Sequence, residues 1–155
     1  WFVSQIKTVS SADEEMKALD KFDSKNVAIV NTKEFTIQNK NFVKDASAVI
    51  TLDAYKPNHL TYTSTNTNAG LAVFSEMYYA KGWKAYVEGK ETPIYRVDYV
   101  LRAIEIPAGK QKVEFKFEPQ VVQTGSLIAL VSSIGMLLLL VGGIYIERKK
   151  IKKIE

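Results

Sequence analysis

The sequence contains no cysteine, which excludes disulfides, thiolate metal sites and a cysteine nucleophile together. It contains one histidine, His59, and no nucleophile-elbow motif to go with it, so a Ser-His-Asp triad has no footing. Between Asn58 and Leu60, His59 reads as a surface residue at the start of a strand. No His/Asp/Glu group has the spacing of a transition-metal site, and no glycine-rich phosphate loop occurs, so neither a metal nor a cofactor is expected. Basic charge is scarcer than the formal +4 suggests. The last nine residues, ERKKIKKIE, hold five of the 21 Lys/Arg, and the rest of the chain has 16 Lys/Arg against 15 Asp/Glu. A nearly neutral body removes the electrostatic argument for a nucleic-acid partner.

Charge of either sign is missing from Ser126 to Ile146, twenty-one residues reading SLIALVSSIGMLLLLVGGIYI. As a helix rising about 1.5 Å per residue, this run is roughly as long as a bilayer's hydrocarbon core is thick. A transmembrane helix over 125–146 is therefore expected. The basic tail at 147–155 places the C-terminus in the cytoplasm by the positive-inside rule, and residues 1–125 outside it. Trp1 is not preceded by a basic and then apolar leader, so a membrane segment or export signal upstream of Trp1 in a longer protein is expected. Gly125, Ala129 and Ser133 recur every four positions, a spacing that lets helices approach closely in lipid. The expected partners are membrane lipid and an upstream transmembrane domain of the same protein.

Before the span the apolar period is mostly two. Val113, Phe115 and Phe117 alternate with Lys112, Glu114, Lys116 and Glu118, the pattern of a strand with one wet face. Residues 84–89 and 91–107 read as strands too. In the second, Ile104 and Ile106 fall on the face opposite Tyr95, Val97, Tyr99, Leu101 and Ala103, which predicts a bulge near Ala103. Further strands are expected over 1–9, 27–31, 34–39, 47–55, 59–65 and 71–79, separated by turn sequences such as EGKE and PAGKQ. One helix is expected at SADEEMKALDKF, with Ser11 and Glu14 as a capping box and Met16, Leu19 and Phe22 as its apolar stripe. The pattern predicts a mainly β chain: an antiparallel β-sandwich ectodomain over 1–122 with one short helix, followed by the membrane helix.

Two constellations in the body have the residue types of a site. Glu76 and Glu88 fall on strands expected to be neighbours, where two carboxylates could flank a glycosidic bond, although Glu88 beside a glycine turn reads as solvated. FSEMYYAKGWKAYVEG, residues 74–89, crowds five aromatics around Gly82-Trp83. Aromatic rings can stack on sugars, but in a sandwich Trp83 and Tyr79 are expected to pin one sheet on the other. Alternation leaves Tyr78 with Glu76 to face a ligand or partner domain. Arg102, beside aromatics, offers a planar fork suited to carboxylates, phosphates or sugar hydroxyls. Its plainer reading is a cross-strand ion pair with Glu76 on an exposed face.

The order of motifs resembles the C-terminal region of YfhO-like bacterial membrane proteins. WFV, EEMKAL, YKPNHLTYTS and LAVFSEMYYAKGWKAYVEGKETPIYRVDYVLRAIEIPAGKQKVEFKFEP, with the span after them, carry the likeness over nearly the whole chain. Ala80-Lys81 stands where the family usually has a single proline. Glu76, Tyr78, Tyr79, Gly82, Trp83, Arg96, Arg102 and Gly109 match family positions. The resemblance implies a polytopic glycosyltransferase of the GT-C type, using a lipid-linked sugar at the outer face of the bacterial plasma membrane. Its catalytic acid is then expected in an early outer loop, outside these residues, so no catalytic residue is assigned. Glu76, Tyr78, Arg96 and Arg102 become candidates for binding a glycan, a polyprenyl-phosphate sugar or a partner. Tyr79, Gly82, Trp83 and Gly109 become structural candidates. The alternative is a membrane-tethered, non-enzymatic carbohydrate-binding or structural sandwich.

Overall fold

The chain folds into three sheets that enclose two apolar cores. A computed structural model describes residues 1–37 and 41–151. The elements run β1 (Phe2–Val3), β2 (Gln5–Val9), α1 (Ala12–Ala18), β3 (Val27–Asn31), β4 (Val49–Lys56), β5 (His59–Asn66), β6 (Gly70–Met77), β7 (Trp83–Val87), β8 (Lys90–Thr92), β9 (Tyr95–Val97), β10 (Leu101–Ile106), β11 (Gly109–Phe117) and α2 (Gln120–Ile151). Residues 1–118 form one compact unit and 119–155 another.

In the first unit an antiparallel sheet of order β4-β5-β11-β7-β8 faces an antiparallel sheet of order β1-β6-β10-β9, as a mainly β, antiparallel sandwich. Leu60, Tyr62, Phe74, Ile104, Val113 and Phe115 fill the space between them, with the Tyr62, Phe74 and Phe115 rings edge-on at 4.9–6.0 Å. The four-stranded sheet is buried on its other face as well. There Val3, Leu71, Val73, Val97 and Ala103 meet Ile6, Ala28, Val30 and Ile37. This explains why β6 and β10 lack the alternation of β11: a strand covered on both sides has no wet face to mark with charge.

The third sheet pairs β2 with β3 in parallel, across a connection that contains α1. A parallel pair needs a crossover of a dozen or more residues, and the seventeen between Val9 and Val27 supply it. The single strand expected over 1–9 is broken at Ser4, where the chain leaves the four-stranded sheet for the parallel one. The N-cap of α1 is Ser11, whose Oγ accepts from Glu14 N–H at 3.2 Å, while Glu14 reaches back to Ser10 rather than Ser11. The expected stripe is corrected: Met16 is exposed, and the helix buries Glu15 and Ala18 instead.

Two other sequence expectations change. Residues 34–37 are turn and irregular chain, held by Glu34 and Phe35 N–H donating to the Asn31 carbonyl, and 38–39 lie outside the described residues. The stretch 91–107 is three short strands rather than one. Its irregularity lies between Leu101 and Arg102: Leu101 pairs with Met77 but Arg102 with Phe74, so β6 carries the extra residues Ser75 and Glu76. Elsewhere turn chemistry works as read. Glu88 and Gly89, at φ 49° and 78°, form the two-residue turn joining Val87 to Lys90, a geometry that needs positive φ at both positions. Gly82 has φ 131°, and a Cβ there would lie 2.6 Å from the Phe117 ring, so both conformation and space require glycine. Gly109, at φ 102°, opens β11 after the Pro107-Ala108 turn.

The second unit is α2. Its stretch Gln120–Ile146 is long and apolar enough to cross a membrane. The Ser133 hydroxyl donates to the Ala129 carbonyl at 2.8 Å, which satisfies a polar group that lipid would not. Of the tail expected to be cytoplasmic, residues 152–155 lie outside the described residues.

Candidate functional site

The bulge in β6 turns Glu76 toward Arg102, whose Nη2 lies 3.4 Å from Glu76 Oε2. Arg102 is only 3% exposed, so the expected surface ion pair is corrected: the arginine is a core residue. Its guanidinium carbon sits 4.7 Å from the centroid of Trp83 and 4.8 Å from that of Phe115, held between two ring faces. Nε and Nη1 are buried without a hydrogen-bond partner among the described residues. Burial lowers the Arg102 pKa from its ordinary value, and Glu76 opposes that shift. Trp83 is half-buried against the same core and packs on Phe117 at 5.4 Å.

Tyr79 is not in the core. It is 55% exposed, because β6 ends at Met77 and alternation stops applying where the chain leaves the sheet. Tyr79 and Trp83 instead line an open groove of about 200 Å³ whose other walls include Tyr78, Thr92, Pro93 and Ile94. Lys84 and Glu91, paired at 3.1 Å, also line it. Tyr78 is separated from Glu76: its ring stands edge-on to Phe35 at 5.4 Å, on the side of the second core. Glu76 and Glu88 are not on neighbouring strands; they belong to different sheets, and Glu88 sits in the hairpin turn, where its carboxylate accepts from Lys112 N–H. His59 Nε2 is 2.8 Å from Glu114 Oε1, a pair in which the carboxylate is buried and the imidazole partly exposed.

Arg96 takes part in a second polar cluster. Its Nη2 bonds Glu15 Oε2 at 3.1 Å and Glu34 Oε1 at 3.0 Å. Glu15 is fully buried and also accepts from Tyr99 N–H at 3.0 Å. The β9–β10 loop that delivers Tyr99 is strained: Asp98 and Tyr99 adopt φ 49° and 70°, uncommon for residues with a Cβ and most of all for a bulky one. Asp98 pins the loop to β3, its N–H donating to the Ile29 carbonyl at 2.9 Å and its Oδ1 accepting from Ile29 N–H at 2.8 Å. Arg96 and Arg102 thus serve separate acids and do not form one site. Sequence reading missed Glu15 and Asp98. Both look like ordinary charges in the sequence; Glu15 is buried where α1 meets Arg96 and Tyr99, and Asp98 where its loop is pinned to β3.

Burial pushes Asp98 up to about 6, with the Ile29 hydrogen bond opposing and the Glu15 charge adding to it. A carboxyl that holds its proton more tightly when folded than unfolded stabilises the fold most at low pH. Between about pH 4 and 6 the native state binds the extra proton, so stability falls as pH rises through that window and levels off above it. The expected fall is on the order of 2–3 kcal/mol. Asp98→Asn keeps the acceptor for Ile29 and tolerates positive φ, so it should flatten this slope. Denaturant titrations at pH 4.5 and 7.5 measure it, and an unchanged slope in the variant would assign the dependence to another group.

A β-sandwich buried on both faces of one sheet, with an aromatic groove and an apolar helix of membrane-spanning length after it, defines a membrane-associated β-domain protein. Residues 16–129 match the family model described as Bacterial membrane protein YfhO, and the chain belongs to that family. It is 25% identical over 129 residues to the Bacillus subtilis (strain 168) protein named Uncharacterized protein YfhO, an alignment covering 83% of this chain. The chain spans only 14% of that relative's length. No solved structure matches it.

Proposed function

We propose that these residues are the extracytoplasmic C-terminal domain and last membrane helix of a polytopic membrane glycosyltransferase, in which the domain binds or positions the acceptor while catalysis resides elsewhere in the chain. The groove of Tyr79 and Trp83 with the Lys84–Glu91 pair carries the reading: aromatic rings beside a few placed polar groups are a surface suited to sugars. Membership of a membrane protein family and the long apolar helix support the membrane setting.

Tyr79 is the residue to change, because its exposure separates binding from folding. Tyr79→Ala should shift the domain's stability by no more than about 0.5 kcal/mol, as surface changes do. It should lower glycosyl transfer by the full-length protein in membranes by about tenfold at limiting acceptor, the equivalent of one lost ring contact of about 1.4 kcal/mol. Transfer equal to wild type would remove the groove from the reaction. Glycan binding by a full-length protein that transfers no sugar would favour the non-enzymatic carbohydrate-binding alternative.

A further inference from the structure

One end of the sandwich collects exposed tyrosines and lysines that neither core uses. β11 ends there at Phe117, and the apolar helix begins three residues on at Gln120. Phe117 N–H donates to the Asn58 carbonyl at 2.9 Å and Glu118 N–H to the Gly82 carbonyl at 2.6 Å. Tyr79 and Trp83 lie 6.5 and 5.4 Å from the Phe117 ring. The β4–β5 turn and the β6–β7 loop therefore share the end at which the chain leaves for its span.

That end presents Tyr55, Met77 and Tyr79, at 67, 73 and 55% exposed, and the exposed lysines Lys56 and Lys81. Neither lysine has a hydrogen bond or ion pair among the described residues. The acids nearby are engaged: Glu76 by Arg102, Glu118 by the Tyr86 hydroxyl at 3.0 Å, and Glu114 by His59, Lys112 and Lys116. The opposite end, where Asn66 pairs with Gly109 and Glu88-Gly89 turns, also carries exposed lysines, Lys90 and Lys110, but no aromatic ring in those turns, so the rings are what set the two ends apart. Tyrosine and tryptophan favour the headgroup layer of a bilayer, where a ring can be half dry and its polar tip wet, and unpaired lysines are drawn to anionic headgroups.

We propose that this end, Tyr55-Lys56 with Met77 and Lys81, is a docking surface for the anionic headgroup layer of the bilayer that holds the span. It rests on the end of β11 from which the chain continues into α2, and not on the sugar reading. Because the chain has no cysteine, Ala80→Cys and Ala108→Cys can each carry a single fluorophore in the full 155-residue chain, reconstituted in nanodiscs containing phosphatidylglycerol and headgroup spin-labelled lipid. Quenching at position 80 should exceed that at 108 by about threefold. It should fall by about half when Lys56→Glu and Lys81→Glu are combined, or when the anionic lipid is replaced by phosphatidylcholine. Equal quenching at the two positions, or quenching at 80 that ignores both charge reversal and lipid charge, would overturn the proposal.

Discussion

Arg102→Met is expected to leave the domain as stable as wild type or more so, whereas Arg102→Ala should cost about 2–5 kcal/mol. The guanidinium is 3% exposed, holds a single long ion pair and leaves two nitrogens without partners among the described residues. Its charge is therefore desolvated with little in return beyond the Trp83 and Phe115 ring faces. Methionine keeps most of the volume and can contact both rings through its thioether, while removing the desolvation penalty. Glu76 is partly exposed and can return to water when its partner goes. Alanine keeps none of this and opens a cavity against Phe115. Denaturant unfolding of both variants decides the matter, and a methionine variant as unstable as the alanine one would mean that the charge itself holds the sheets together.

Glu15→Ala should cost about 3–5 kcal/mol, the loss expected when one member of a buried ion pair is removed. It would deprive Tyr99 N–H and Arg96 of their acceptor and leave Arg96 with Glu34 alone. The strained Asp98-Tyr99 turn would lose one of its tethers, and that turn joins β9 to β10 in the sheet both cores share. Glu15→Gln should cost less, since an amide oxygen can still accept from Tyr99. A double-mutant cycle with Arg96 should return a coupling above about 1 kcal/mol; a loss below that in the single variant would reduce the cluster to an incidental contact.

Where one face of a strand is wet, the fold was legible in the sequence. β11 declares itself by strict alternation, the Glu88-Gly89 turn by its residue types, α1 by its cap and the membrane helix by twenty-one uncharged residues. Legibility failed where tertiary packing overrides local pattern. β6 and β10 are buried on both faces, so alternation could not tell which core each residue joins, and the two-residue bulge at Ser75-Glu76 is invisible to a period of two. Helical periodicity pointed to Met16, whereas the helix docks through Glu15 because Arg96 on β9 and Tyr99 in the loop after it await it from more than eighty residues away. At the candidate groove, Trp83 is half-buried against the core and also lines the groove, and Tyr79 is exposed because the strand ends two residues before it.

The acceptor-binding reading requires the domain to lie outside the cytoplasm, an orientation inferred from the basic residues after the span. Labelling of intact cells with a membrane-impermeant maleimide tests it most directly, using full-length protein whose only cysteine is Asn68→Cys or Lys149→Cys. Position 68 should label in intact cells and position 149 only after permeabilisation. Labelling of position 149 in intact cells, with position 68 protected, would contradict this orientation and the outer-face function with it.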